Sequence, residues 1–160
     1  MTGLKPRGFV WVIAGRLATC ERIGGTGVQH RRVRREEELV WLSKEAGVTT
    51  IVSLLSGGQN VAAYQQAGFQ VHEVPVIGMA LPKDTEEVFG VLDGILADPS
   101  EVVLVHRDGI DDTVAGILGG YLVHSDLLDD QVMAAALIQE IIGRPLGPEG
   151  RALIPSPETT

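Results

Sequence analysis

Cysteine is nearly absent from this chain: Cys20 stands alone. A single thiol excludes an intramolecular disulfide and a Cys-rich zinc site. Positive charge is scarce too, with 13 Lys and Arg against 21 Asp and Glu, a net charge of −8 and a pI near 4.9. That balance speaks against general nucleic-acid binding, which needs a basic face. Long apolar runs are missing. The opening MTGLKPRGFVWVIAG holds too short a run for a signal peptide or a membrane span. No membrane partner is expected, and a cytoplasmic location is the default expectation. Repeats and linker-like stretches are also lacking. What remains is 44% apolar residues in a chain of 160, enough for one globular domain around one core.

The pattern of that core alternates between strands and helices. Residues 9–14 (FVWVIA) are rich in β-branched and aromatic types and predict a strand. Gly15 breaks it, and residues 16–23 return as a second. Helical spacing of Leu39, Val40, Leu42 and Ala46 predicts a helix over 34–46, stopped by Gly47. Further strands are expected at 49–55, 69–76 and 102–105. Between them lie helices at 60–67, capped by Asn60, and at 84–97, capped by Asp84. Two more helices are expected at 112–124 and 129–142, and the Pro- and Gly-rich segment after Pro145 is expected to fray. Apolar strands alternating with helices imply a single α/β domain, a mostly parallel sheet covered on both faces. The expected limits are an N-terminal extension at 1–8, the domain at 9–151 and a flexible tail at 152–160.

Val102 to Val123, VVLVHRDGIDDTVAGILGGYLV, carries the chemistry. It reads as buried strand, loop and helix, an arrangement whose backbone N–H groups suit an anion. Yet the loop holds three aspartates, Asp108, Asp111 and Asp112.

In order and spacing of elements the chain resembles the cysteine-dependent dual-specificity and tyrosine phosphatases, over roughly residues 9–151. The carrying segments are FVWVIAGRLA, EELVWLSKEAGVTTIVSLL, GFQVHEVPV before a loop with Pro82, and LVH before a Gly-bearing loop, Thr113 and a helix. The resemblance implies a loop reading His-Cys, five residues, Arg, then Ser or Thr, with a separate aspartate as general acid. This chain departs from it at each chemical position. Arg107 follows His106, and a guanidinium has no lone pair with which to attack phosphorus. The clamp position falls on Thr113 counted forwards and on Asp112 counted backwards, because the loop His106, Arg107, Asp108, Gly109, Ile110, Asp111, Asp112, Thr113 is one residue short. Gly78 sits where the acid is expected. Cys20, read as a partly buried structural thiol, is no substitute.

Carboxylates in the loop are expected to reject phosphate. Each like-charge pair at about 5 Å costs roughly 3 kcal/mol at an effective dielectric of about 20. Asp111 or Asp112 is expected to cap the helix instead, with Arg107 paired to Asp108 or Asp111. A cation site built from His106, Asp108, Asp111 and Asp112 is the sharper alternative. Arg107 in its midst and the lack of a calcium-loop spacing argue against it, so neither metal nor cofactor is assigned. A third option is a loop that recognises a basic or hydroxylated partner.

Outside the loop, the run HRRVRREEE reads as a helix start laced by Arg–Glu pairs. Arg31, Arg32, Arg34 and Arg35 are the alternative docking surface for an acidic partner, with 30–33 as free loop. Gly116, Gly119 and Gly120 lie in the apolar helix expected at 112–124, where close packing on the sheet is expected to offset their cost. His72 is expected to face solvent. His124 suits a helix C-terminus and has no evident partner in the sequence, and Trp11 and Trp41 belong to the core or its edge. The reading is a pseudophosphatase: a binding or regulatory module taking a protein or small molecule at the loop cleft. Its rival is a repurposed enzyme using Asp108, Asp111 or Asp112 as general base on a non-phosphate substrate, with Arg107 orienting it.

Overall fold

The computed structural model describes residues 3–58 and 60–156. Five strands form one sheet: β1 (Val10–Ile13), β2 (Leu17–Cys20), β3 (Thr50–Ser53), β4 (Gln70–Glu73) and β5 (Val103–His106), in the order β1-β2-β5-β3-β4. Only β1 and β2 pair antiparallel; every other pairing is parallel. The five strands fall within the spans expected from sequence, except that β5 runs to His106. Parallel strands need crossovers, and the first three of the six α-helices among the described residues supply them, the other three following β5. The helices are α1 (Arg32–Lys44), α2 (Val61–Gln66), α3 (Pro82–Leu96), α4 (Asp112–His124), α5 (Gln131–Ile142) and α6 (Pro148–Ala152).

Alternation along β5 shows how the two faces are used. Val103 and Val105 point into a core shared with Val88 and Leu92 of α3, Ile117 and Leu118 of α4 and Ile138 of α5. Leu104 points the other way, joining Leu39 and Leu42 of α1 and Tyr64 of α2. Helices therefore cover both faces, which keeps every β5 side chain from water. The chain is a single α/β domain with a mostly parallel sheet.

Several local expectations shift. Arg32 and Val33 belong to α1 rather than to a free loop. Pro82 opens α3, because its fixed φ and missing N–H suit a first helical position. Asp84 then lies one turn in, its carboxylate accepting from Leu81 N at 2.8 Å. Asn60 does precede α2, but its side chain makes no capping bond. Gly47 does stop α1 at φ +71°, a conformation costly for other residues.

Among the described residues after Pro145, 146–156, the chain is packed rather than frayed. It forms α6, and Ile154 beyond it is buried. Gly116 and Gly120 explain how. A Cβ on Gly116 would collide with the Gly150 carbonyl oxygen, and one on Gly120 would lie 2.9 Å from the Leu153 oxygen. These glycines let α6 and its continuation approach α4, so the close contact is with the C-terminal segment rather than with the sheet. Gly119 meets Ile138 and Ile154 in the same layer. The described part of the expected tail, 152–156, thus includes packed residues, and 157–160 lie outside the described residues. At the other end, Leu4 N donates to Glu37 O at 3.0 Å, tying the N-terminal extension to α1.

Candidate functional site

Strand β5 delivers the loop 107–111 to the C-terminal edge of the sheet, between β2 and β3. Open parallel sheets bind ligands at that edge. His106, the last residue of β5, is fully buried. Its Nδ1 lies 3.1 Å from Arg107 O, and its Nε2 lies 3.3 Å from the Tyr64 hydroxyl. A carbonyl can only accept, so Nδ1 carries the proton and the Tyr64 hydroxyl donates to Nε2. Burial lowers the ring's pKa to about 4, so it is neutral at pH 7. Burial also pushes the Tyr64 hydroxyl up to about 12. His106 is a brace beneath the loop.

Arg107 reaches from the loop across to the segment after β4. Its guanidinium donates to Val76 O at 2.8 Å and Gly78 O at 2.9 Å, and Nη1 lies 3.4 Å from Asp111 Oδ2. The side chain is only 15% exposed, so it spans the space between its own loop and the segment after β4. Val76 and Gly78 are where the general-acid loop is expected by resemblance. The position expected for the nucleophile is thus bonded to the position expected for the acid.

The three loop carboxylates part company. Asp111 is the N-cap of α4, its Oδ1 accepting from Val114 N at 2.9 Å. Asp112 turns to the other side and accepts from Gly147 N and Gly150 N, both at 2.6 Å, holding the start of α6. Asp108 reaches Arg22 Nη1 at 3.4 Å, while its carbonyl accepts from Arg22 N at 3.0 Å. The expectation of three carboxylates lining one hollow is corrected here. Each has its own donor, and for Asp111 and Asp112, which are partly buried, that donor offsets the cost of leaving water. Between the expected partners of Arg107, the structure selects Asp111. Gly109 and Ile110 span the turn between Asp108 and Asp111, and the Thr113 side chain is buried in the first turn of α4. Among the described residues there is no group of three metal-ligating side chains.

Cys20 sits at the end of β2, in register with His106 on β5, and is fully rather than partly buried. Burial, then the Glu38 and Glu21 charges, raises its thiol pKa well above the ordinary value. A thiol so placed is no nucleophile.

The arginine run is tied to α1 and to the segments beside it. Arg31 donates to Val28 O and His30 O, and Arg32 pairs with Glu36 one turn on. Arg34 pairs at 2.8 Å with Glu38, a buried carboxylate that also accepts from Gly24 N. Arg35 donates to Asn60 Oδ1 at 3.0 Å. Arg34 and Arg35 therefore face inward, and Arg31 and Arg32 keep the exposed positions.

Sequence reading missed Arg22, Asn60 and Tyr64, which wall the β3 side of the loop. Arg22 and Asp108 lie 86 residues apart, so no local spacing announces their pairing. His124 was missed in a like manner. It bonds Asp93 of α3 at 2.7 Å and stacks on Phe89, while Asp93 also accepts from the Tyr121 hydroxyl. His72 is exposed on β4, as expected.

No family model and no curated protein matches the sequence. Solved structures do. A kinase-associated phosphatase, with its catalytic cysteine replaced by serine, superposes with a TM-score of 0.74 at 18% identity, covering 94% of this chain and 93% of that one. Human DUSP28, carrying a tyrosine-to-histidine substitution, gives 0.67 at 19% identity over 94% and 92% of the two chains. A putative phosphatase from Shewanella putrefaciens gives 0.64 at 19% identity over 93% and 89%. Identities this low speak for the fold alone. The chain has the fold of the dual-specificity and protein tyrosine phosphatases.

Proposed function

We propose that this domain is a phosphatase fold without phosphatase chemistry, a pseudophosphatase that works as a binding or regulatory module. The observation that carries the reading is Arg107. Where the fold's enzymes place a nucleophile, this chain places a guanidinium that donates to Val76 O and Gly78 O. Attack on phosphorus needs a lone pair and open space above the loop. Arg107 offers no lone pair, and its side chain with Asp111 takes up the space. The partner surface is the rim of the filled cleft. Asp108 and Asp111 are 63% and 49% exposed there, and Ile77 and Met79 project from the segment that Arg107 holds. Carboxylates beside apolar side chains suit a protein partner offering basic or hydroxylated groups.

The rival enzyme needs crowded carboxylates, since crowding is what raises one of them to a useful pKa. Asp108, Asp111 and Asp112 instead turn to three separate donors. The test is turnover of an aryl phosphate by the purified chain, with and without Mg²⁺ or Mn²⁺. Background rates are expected throughout. Turnover that survives Cys20→Ser and disappears in Asp111→Ala overturns the proposal in favour of the rival.

A further inference from the structure

Strand β4 forms one edge of the sheet, with no strand beyond it among the described residues. Gln70 N and Val74 N donate to Thr49 O and Ser53 O. Alternate residues of a parallel strand bond to the same neighbour. Gln70, His72 and Val74 therefore turn their main chain towards β3, while Val71 and Glu73 turn their N–H and C=O groups outwards. Gln70, His72 and Glu73 are exposed, which leaves the edge accessible. Such an edge can receive an extended segment as an added strand.

Beside that edge runs a groove of about 420 Å³ between β4 and α3. Gln70 and His72 stand on one wall, Gly90 and Gly94 on the other, a turn apart in the interior of α3. Glycine is unfavourable inside a helix. On α4 close packing accounts for it, but on α3 nothing lies within 4 Å of the place a Cβ would take on either glycine. These glycines widen the groove rather than admit another part of the chain. The groove ends at two acids. Ser100 donates to Asp98, and Thr49 and Thr50 donate to Glu101. Those bonds hold both carboxyls below their ordinary pKa, so both are charged at pH 7. Arg16 lies near Asp98, but it donates to the carbonyl oxygens of Leu96, Asp98 and Glu101. Two carboxylates against one guanidinium leave a negative charge in excess, and no lysine or arginine among the described residues lines the groove.

We propose that the outer edge of β4 receives an extended segment of a partner protein as an added strand, with a lysine or arginine of that segment laid along the groove. Val71 and Glu73 supply the main-chain hydrogen bonds, which hold an extended segment of any sequence. The aliphatic stem of the basic side chain crosses Gly90 and Gly94, where a Cβ would stand in its way. Its charge meets the excess negative charge at Asp98 and Glu101. A second copy of this chain fits less well, because neither edge strand, VWVI or QVHE, carries a lysine or arginine. The surface stands whether or not the rim of the degenerate loop binds a partner, because none of its residues belongs to 76–79 or 107–113.

The experiment is an NMR titration of the isotope-labelled chain with the blocked peptide acetyl-Thr-Val-Lys-Val-Thr-amide, taken to millimolar concentration. The backbone amides of Val71, Glu73, Gly90 and Gly94 are followed. A Glu-centred counterpart and the Lys peptide with N-methylated valines serve as controls. Saturable shifts are expected with the Lys peptide, binding about tenfold or more weaker with the Glu peptide, and none with the N-methylated one. Gly94→Leu fills the groove and leaves the edge alone. It should weaken the Lys peptide by about tenfold while the thermal midpoint holds or rises, which separates binding from folding. Asp98→Asn keeps an acceptor for Ser100 and should weaken the Lys peptide by about threefold or more. Sedimentation of the chain without peptide tests self-pairing, with Val71→Pro as the variant that blocks the edge without removing a bond to β3. No dimer sensitive to Val71→Pro is expected; finding one assigns the edge to a second copy and overturns the proposal. Non-saturable shifts, equal binding of the Lys and Glu peptides, or binding unchanged in Gly94→Leu overturn it too.

Discussion

Arg107 Nη2 donates to the carbonyl oxygen of Gly78 at 2.9 Å. By the family resemblance these are the positions expected for the nucleophile and for the general acid. Here one hydrogen bond, with its neighbour to Val76 O, joins them. The same guanidinium reaches Asp111, the cap of α4, so one side chain links the loop, the helix that follows it and the segment after β4.

Removing that link should loosen the segment it holds. Arg107→Ala is expected to lose about 1.5–3 kcal/mol, the range for hydrogen bonds to a charged group. Thermal unfolding measures the loss. Hydrogen exchange should quicken at residues 77–81 more than in β5. An unchanged exchange pattern would mean that Arg107 rests on the segment without holding it.

Glycine substitutions in two helices should have opposite signs. Gly90 in α3 has open space where a Cβ would go, so Gly90→Ala should gain about 0.5–1 kcal/mol from helix propensity. Gly116 in α4 has the Gly150 backbone there, so Gly116→Ala should destabilise despite the same propensity gain. Denaturant midpoints of the two variants against the parent chain give the signs directly.

Asp112 should matter to the C-terminus rather than to the loop. Its two oxygens accept from Gly147 N and Gly150 N. Asp112→Asn keeps one acceptor oxygen and should cost about 1 kcal/mol, with faster exchange at residues 147–150. Equal exchange there would show that packing of α6 on α4 suffices without the carboxylate.

Acid should find the brace beneath the loop. His106 stays neutral in the folded chain down to about pH 4, whereas its ordinary pKa is 6.5. The unfolded chain binds the proton first. The stability tied to this group is therefore complete above pH 6.5 and declines as pH falls towards 4, by at most about 1.4 kcal/mol per unit. His106→Gln should flatten that part of the stability–pH curve, as measured by denaturant unfolding at a series of pH values. An identical slope in parent and variant would contradict the buried, neutral ring.

The sheet was legible because its signal is local. Val103 to His106 is an apolar run ending in a turn-rich loop, and Asp111 precedes an apolar helix at the spacing of a cap. The unequal fates of the three aspartates were not legible. Asp112 serves Gly147 and Gly150, which are 35 and 38 residues away. Nothing near it in sequence distinguishes it from Asp111. The same distance hid α6, whose Pro- and Gly-rich sequence reads as a tail until α4 supplies a small-residue face for it to approach. Asp93 was equally hidden as the partner of His124, because that pair meets only once α3 and α4 lie side by side.

The proposal that the loop holds no working phosphate cradle is tested most directly by titrating inorganic phosphate into the labelled chain and following the backbone amides of Gly109, Ile110 and Asp111. With Arg107 and Asp111 in the hollow, these signals should move only as far as an equal ionic strength of sodium chloride moves them. A saturable shift of the three amides by phosphate, absent with chloride, would contradict the account.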